Sequence, residues 1–166
     1  NNYGPYQFPE KLIPVVIQKC LSGASIPVYG KGDNIRDWLY VEDHAEALLL
    51  VASKGKVGET YNIGGNNERR NIDLVQTLCT IMDGIYPRNS GSYTEQISFV
   101  TDRPGHDRRY AINASKIKND LGWEPSISFD AGFEKTVHWY VENRDWWEPL
   151  LSRPKGGERL GLGKDA

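Results

Sequence analysis

Between Thr101 and Tyr110 the chain places Arg103, Arg108, Arg109 and His106 around a Pro104-Gly105 turn, with Asp102 and Asp107 interleaved. Residues of these types bind anions. A guanidinium presents a planar fork of donors that matches phosphate oxygens, and an imidazole adds a donor to the same oxygens. Proline fixes φ and glycine accepts positive φ, so the turn can aim Arg103 and His106 the same way. The alternative is a solvated charge run in which the arginines pair with Asp102 and Asp107. The residues alone leave both open.

Two further positions suit an anion. Arg36 follows the glycine loop Gly30 to Asn34, and it can reach a phosphate or pair with Asp33 or Asp37 at the surface. Asn71 opens an apolar helical stripe and reads as a cap, but a helix N-terminus is itself an anion site, so both roles can coincide. Pro27-Val28-Tyr29 can stack on a base or pack as an edge strand, and Glu10-Lys11 reads locally as a first-turn pair. His44 and His138 lie beside apolar residues in helical stretches and read as structural. No Gly-x-Ser-x-Gly elbow, His-Glu-x-x-His or paired-cysteine metal spacing occurs, and Glu42-Asp43 reads as a helix start. On this reading the chain binds an anion and carries no catalytic or metal constellation.

The elements that must position these residues follow from periodicity. Leu12, Val15, Val16 and Cys20 recur at helical spacing between Lys11 and Leu21, with Gly23 as the stop. Ser25 to Tyr29 and Ile35 to Val41 read as strands, and Glu42 to Ser53 as a helix whose first turn is acidic. Thr60 to Ile63 reads as another strand. A helix capped by Asn71 carries Ile72, Val75, Leu78, Cys79 and Met82; Asp83 to Glu95 is a loop, and Ile97 to Val100 is a strand feeding the arginine turn. Asn113 caps a helix stopped by Gly122, and Ser128 caps the last one, with Phe133, Val137, Tyr140 and Val141 inward and Trp146 and Trp147 beyond its end. Alternating strands and helices imply an α/β fold, in which the short strands suggest one lobe rather than a complete doubly wound sheet. Residues 1–151 form that unit, and residues 152–166, polar and unpatterned, are expected to be a mobile tail.

A chain of 166 residues, 39% hydrophobic and 25% charged, suits one globular domain. Its net charge of -2 argues against wholesale nucleic-acid binding, which needs many simultaneous cationic contacts. Cys20 and Cys79 fall in apolar helical patterns and read as buried free thiols, which fits a reducing cytoplasm. No apolar run approaches membrane-spanning length and no leader pattern opens the chain. The sequence starts without methionine at Asn1-Asn2-Tyr3-Gly4-Pro5, in what reads as a loop leaving a strand, and contains no glycine-rich dinucleotide fingerprint.

Several motifs, in order, resemble a known family: Asn1 to Pro5, Phe8 to Pro14, Pro27 to Gly30, Arg36 to His44, Tyr61 to Gly65 and Asp102 to Ile112. Together they resemble the C-terminal half of the dTDP-glucose 4,6-dehydratase family, in the nucleotide-sugar branch of the extended short-chain dehydrogenase/reductases. The likeness runs from Asn1 to about Trp147. The Arg36-Asp37 and Val41-Glu42-Asp43 pattern fixes only the superfamily, whereas Phe8 to Pro14 and Asp102 to Ile112 are more specific. The resemblance implies a substrate-binding portion with most of the NAD-binding Rossmann core missing. It implies that Asn1 meets the sugar nucleotide and Asn2 the NAD cofactor. Glu10, Lys11 and Leu12 would line the substrate cleft, with Pro27, Val28 and Tyr29 beside thymine and deoxyribose. Arg36, Asn71, Arg103 and His106 would gather the diphosphate, on a turn formed with Asp102, Pro104 and Gly105.

The family's reaction oxidises the glucose C4 hydroxyl by hydride transfer to NAD+, eliminates water across C5 and C6, and returns the hydride to C6. It assigns this chemistry to a Tyr-x-x-x-Lys pair, an Asp-Glu pair and a glycine-rich loop upstream of the matched segment. The implied parent is therefore a cytoplasmic, homodimeric lyase acting on a dTDP-sugar, and this chain is expected to be inert alone. Arg69 or Arg70 is a further candidate for the phosphate site. A UDP-sugar epimerase or decarboxylase half and a non-catalytic anion-binding module remain as alternatives.

Overall fold

The computed structural model describes residues 1–151, so the expected tail from Ser152 to Ala166 lies outside the described residues. In chain order the elements are β1 (Asn2–Tyr3), α1 (Leu12–Ser22), β2 (Ile26–Tyr29), β3 (Ile35–Asp37), β4 (Leu39–Tyr40), α2 (Val41–Lys54), β5 (Glu68–Arg70), α3 (Asn71–Ile85), a 3-10 turn at Tyr93–Gln96, β6 (Ile97–Val100), β7 (Arg109–Tyr110), α4 (Ser115–Leu121), α5 (Phe129–Glu142) and α6 (Arg144–Leu151). The arrangement is α/β, with three small sheets: β1 pairs with β4, β2 with β6, and β5, β3 and β7 form the third with β3 in the middle.

Apolar residues three and four apart make one buried stripe on each of α1, α3 and α5. Ile13, Val16, Ile17 and Cys20 of α1 meet Leu74, Val75, Leu78, Cys79 and Met82 of α3 and Phe133, Val137 and Tyr140 of α5 in the main core. Removing each such aliphatic or aromatic side chain from water contributes about 1.5–3 kcal/mol. The two thiols are buried and free, as their helical pattern implies. Tyr3 links β1 to this core: its ring lies 5.6 Å from those of Tyr40 and Phe129, 5.7 Å from Phe133 and 6.4 Å from Trp38. Its hydroxyl donates to the Phe129 carbonyl at 3.3 Å. A smaller cluster of Leu39, Ala47, Ala114, Ile117 and Trp123 joins α2 to α4.

Helix ends follow local chemistry. Gly23 and Gly122 close α1 and α4 with φ of 68° and 70°, a region that costs other residues a Cβ clash. Ser128 Oγ accepts from Ala131 N at 3.3 Å and caps α5; the cap position of α4 is Ala114 rather than the expected Asn113, whose Oδ1 accepts from Ser115 N at 2.9 Å one residue further out.

Four expectations change. The single strand over Ile35 to Val41 divides at Trp38, because β3 pairs with β5 and β7 while β4 pairs with β1, and Val41 already belongs to α2. Thr60 to Ile63 joins no ladder among the described residues; Tyr61 and Ile63 pack on the smaller cluster, and Lys116 Nζ donates to Thr60 O at 2.8 Å. Alternation there marks burial, and burial without an adjacent edge makes no strand. The loop expected from Asp83 begins only after Ile85, and it is tied down by Asp83, which accepts from Tyr93 N at 2.9 Å and Ser92 Oγ at 2.5 Å. Trp146 and Trp147 form part of α6, with Trp147 Nε1 donating to Tyr140 O at 2.8 Å.

Asp43 is more than a helix-start residue. It is 1% exposed and accepts from Ser126 N at 3.0 Å, Ser126 Oγ at 2.7 Å and Ile127 N at 3.2 Å, fastening α2 to the segment before α5. Removing the carboxylate strands those donors. Asp43→Ala is expected to lower stability to chemical denaturation by about 2–4 kcal/mol, whereas the exposed neighbour change Glu42→Ala should cost under about 1 kcal/mol.

Candidate functional site

The site is built outward from β3, whose two charged residues are both buried. Arg36 is 6% exposed and Asp37 4%. Successive strand residues point to opposite faces, so the two charges are solvated separately. Asp37 accepts from Gly65 N at 2.9 Å and Asn67 N at 2.7 Å, which pins the loop entering β5. Arg36 donates through Nη1 to Ile35 O at 2.7 Å and through Nη2 to Asp107 O at 3.0 Å, and its guanidinium carbon stands 4.4 Å from the centre of the Tyr110 ring. These contacts replace the surface ion pair that Arg36-Asp37 suggested.

The arginine turn is fastened to the same strand. β7 runs parallel to β3 with Arg36 opposite Tyr110, and Asn34 Nδ2 donates to Asp107 O at 3.2 Å. Gly105 takes the positive φ, 69°, that the turn requires. The imidazole of His106 is 4% exposed, and its Nδ1 lies 2.7 Å from Asp102 Oδ1. An ionised carboxylate only accepts, so Nδ1 carries the hydrogen and Nε2 is left for a ligand. Asp102 also accepts from Arg103 N at 2.9 Å. The hydrogen bond from His106 is the largest cause holding the Asp102 carboxyl below its usual range, with the Arg103 amide and nearby positive charge adding to it. The guanidinium of Arg103 makes no ion pair among the described residues.

A cleft of about 400 Å3 opens between these groups, the start of α1 and the N-terminal end of α3. It is lined by Asn1, Asn2, Gln7, Glu10, Lys11, Leu12, Arg36, Trp38, Asn71, Arg103, His106 and Tyr110. That volume suits a small molecule. Nine residues singled out from the sequence therefore meet in one place, although they come from segments as distant as Asn1 and His106.

The remaining site residues lie elsewhere. The parallel register of β2 with β6 puts Val28 in the main core and leaves Pro27 and Tyr29 half-buried. Asp102 lines a neighbouring cavity with His106 and Arg70, and Pro104 and Gly105 are exposed at the turn. Asn71 does not cap α3: it is the first helical residue, the position before it is Arg70, and Asn71 Oδ1 is buried with no hydrogen-bond partner among the described residues. The amide of Asn2, expected beside NAD, hydrogen-bonds the His44 ring. Lys11 pairs with Glu10 at 2.7 Å at the mouth of the cleft.

Arg69 and Arg70 do not join the cleft. Arg70 grips Asp73 through two bonds of 2.8 and 2.7 Å, and Arg69 lies over the Phe129 ring at 4.8 Å. Arg109 forks onto Glu68 with two bonds of 2.6 Å and so behaves as a surface ion pair, with a partner 41 residues away. Gln7, Trp38 and Tyr110 were not singled out. Strand alternation offered a signal for Trp38, since i and i+2 share a face with Arg36.

The fold and cleft define a portion of an extended short-chain dehydrogenase/reductase of the nucleotide-sugar dehydratase and epimerase type. Residues 1–136 match the family model described as GDP-mannose 4,6 dehydratase, and the chain belongs to that family. It is 57% identical over 165 residues to a dTDP-glucose 4,6-dehydratase of Escherichia coli, covering 98% of this chain and 46% of that protein. It is 62% identical over 152 residues to dTDP-glucose 4,6-dehydratase 1 of E. coli K12, covering 92% and 42%. The crystal structure of dTDP-glucose 4,6-dehydratase from Bacillus anthracis in complex with NAD superposes with a TM-score of 0.80 at 50% identity, over 90% of this chain and 44% of that one. UDP-glucose 4-epimerase from Thermotoga maritima, solved with UDP-glucose, gives 0.73 at 27% identity, over 87% and 44%. The chain thus spans less than half the length of these relatives.

Replacing His106 by alanine removes the main support of the ionised Asp102 carboxyl. Its pKa is expected to rise back toward the ordinary aspartate range, read from carboxyl carbon shifts in an NMR titration. In the unaltered chain, the stabilisation from this pair is fully present above the unfolded pKa and fades as pH falls through the lowered folded one.

Proposed function

We propose that this chain is the sugar-nucleotide-binding part of a dTDP-glucose 4,6-dehydratase and that it binds the thymidine diphosphate sugar in the cleft described above. The observation that carries this reading is the convergence of Arg36, Arg103, His106 and Asn71 on one cavity. Two guanidinium groups can neutralise a diphosphate, and a buried imidazole and amide can complete its hydrogen bonds. The higher identity to dehydratases than to the epimerase supports the dehydratase over a UDP-sugar epimerase or decarboxylase.

NAD would supply hydride transfer in the whole enzyme, as the NAD-bound relative suggests. The residues present do not make a dinucleotide site by themselves: the sequence has no glycine-rich fingerprint. Nor does the sequence contain a Tyr-x-x-x-Lys pair. The contribution of this chain is to bind the diphosphate, orient the sugar and exclude water along one wall of the site. It is therefore inert alone, and turnover of dTDP-glucose by the purified 166-residue chain supplied with NAD would overturn that conclusion.

Arg103→Ala should weaken binding of dTDP-glucose by about 1.5–3 kcal/mol, the range for a charge-assisted hydrogen bond. Binding of free thymidine, which has no phosphate, should change by less than about 0.5 kcal/mol. Calorimetric titration of both ligands against both proteins makes the comparison. Equal changes would place Arg103 outside the phosphate site.

A further inference from the structure

Helix α2 has two opposite faces without solvating charge. At helical spacing Asp43 and Ala47 fall on one side, and Ala45, Leu48, Leu49 and Ala52 on the other. Asp43 and Ala47 are its buried residues, the first fastening the segment before α5 and the second packed in the smaller cluster. The opposite stripe is open to solvent, with Leu48 55% exposed and Leu49 71%. A single exposed leucine is ordinary on a protein surface. Four apolar residues at helical spacing, facing away from the side already buried, are the pattern of a helix packed between two layers.

The segment that follows α2 lacks a neighbour in a matching way. Thr60 to Ile63 has the composition of a strand and lies beside α2, since Tyr61 and Ile63 pack on the same cluster as Ala47, Leu50 and Val51. Among the described residues, no backbone hydrogen bond joins Tyr61, Asn62 or Ile63 to another segment. An open edge of this composition is a template for a further strand. A helix face without a cover beside a strand without a partner is what one flank of an α/β sheet presents when the rest of the sheet lies in another portion of the protein.

Length and composition say which portion that is. The chain spans less than half of the dehydratases it matches, and it contains no glycine-rich fingerprint. A sheet that binds a dinucleotide needs that fingerprint and helices on both of its faces. We propose that the exposed stripe of α2 and the open edge of residues 60–63 form the docking surface for the dinucleotide-binding portion of the enzyme, the helix lying against its sheet and the edge taking one of its strands as neighbour. This inference rests on the dehydratase reading above and locates where the two portions meet.

The test joins the N-terminal portion of the E. coli K12 dehydratase, 62% identical to this chain where they match, ahead of Asn1 and compares that protein with the 166-residue chain. Leu49→Cys places a thiol on the stripe and Thr80→Cys places one on the exposed side of α3, while Cys20 and Cys79 are buried. With a maleimide followed by peptide mass, the two introduced thiols should react at similar rates in the chain alone. In the joined protein Leu49→Cys should react at least about 10-fold more slowly and Thr80→Cys within about twofold of its rate in the chain alone. In the unaltered proteins, amide hydrogen exchange at residues 60–63 should slow by at least about 10-fold on joining, a readout that needs neither variant. A joined protein that holds no NAD, or one that holds NAD with either readout unchanged, would overturn the docking surface. Slow reaction of Leu49→Cys in the chain alone, relieved by dilution, would also overturn it by assigning the face to a second copy. Turnover of dTDP-glucose by the joined protein separates the two readings: turnover without protection refutes the docking and keeps the dehydratase, and protection without turnover does the reverse.

Discussion

Two opposite charges, Arg36 and Asp37, are buried side by side in sequence on a three-residue strand, and much of the surrounding structure exists to solvate them. An ionised group taken out of water must recover its hydrogen bonds from the protein. Asp37 recovers its own from the amides of Gly65 and Asn67, which dictates where the chain re-enters as β5. The Arg36 guanidinium takes the carbonyl of Asp107, which draws the arginine turn back to the same strand as β7. Even the glycines conform: a Cβ on Gly65 would stand 2.1 Å from the Trp38 carbonyl oxygen, so no larger residue can approach the strand there.

The cleft is a by-product of that arrangement. Because Asp107 is held against Arg36, the preceding residues must fold over, and the Asp102–His106 pair locks the turn with the imidazole nearly buried. Arg103 is left facing the cavity. The opposite wall comes from β1 and the first turn of α1, positioned by the Tyr3 ring cluster rather than by charge. Polar and apolar forces thus each fix one side of the same opening.

Much of this was legible in the sequence because it is local. Helical stripes, the αL glycines at Gly23 and Gly122, the Ser128 cap and the Pro104-Gly105 turn each depend on a few neighbouring residues. The resemblance added the long-range part, gathering Arg36, Asn71, Arg103 and His106 before any coordinates did so. What failed was whatever depended on partners far along the chain. Ile35 to Val41 reads as one strand until it is known that β3 and β4 pair in different sheets. Thr60 to Ile63 has strand composition and no neighbouring edge among the described residues. Asn71 has the composition of a cap, yet its oxygen turns inward. The role of Asp43 depends on Ser126, 83 residues away, and no spacing rule reports that. Gln7 escaped notice for a related reason: its place beside the cleft depends on Arg36, Asn71 and His106, all far along the chain.

The bond from Tyr3 to Phe129 spans 126 residues, and it carries a consequence for the order of assembly. Contacts so far apart close late, because the intervening chain must lose its freedom before they return anything. As the polypeptide emerges, α1 and α3 can form and meet, but the ring cluster around Tyr3 has no lid until α5 has been made. A Cβ on Gly132 of α5 would come 2.6 Å from the Tyr3 hydroxyl, so the lid fits only because that helix carries glycine where it crosses the ring. Until then the apolar faces of α1 and α3 remain open to solvent, the kind of transiently exposed surface that makes partly folded chains prone to aggregate.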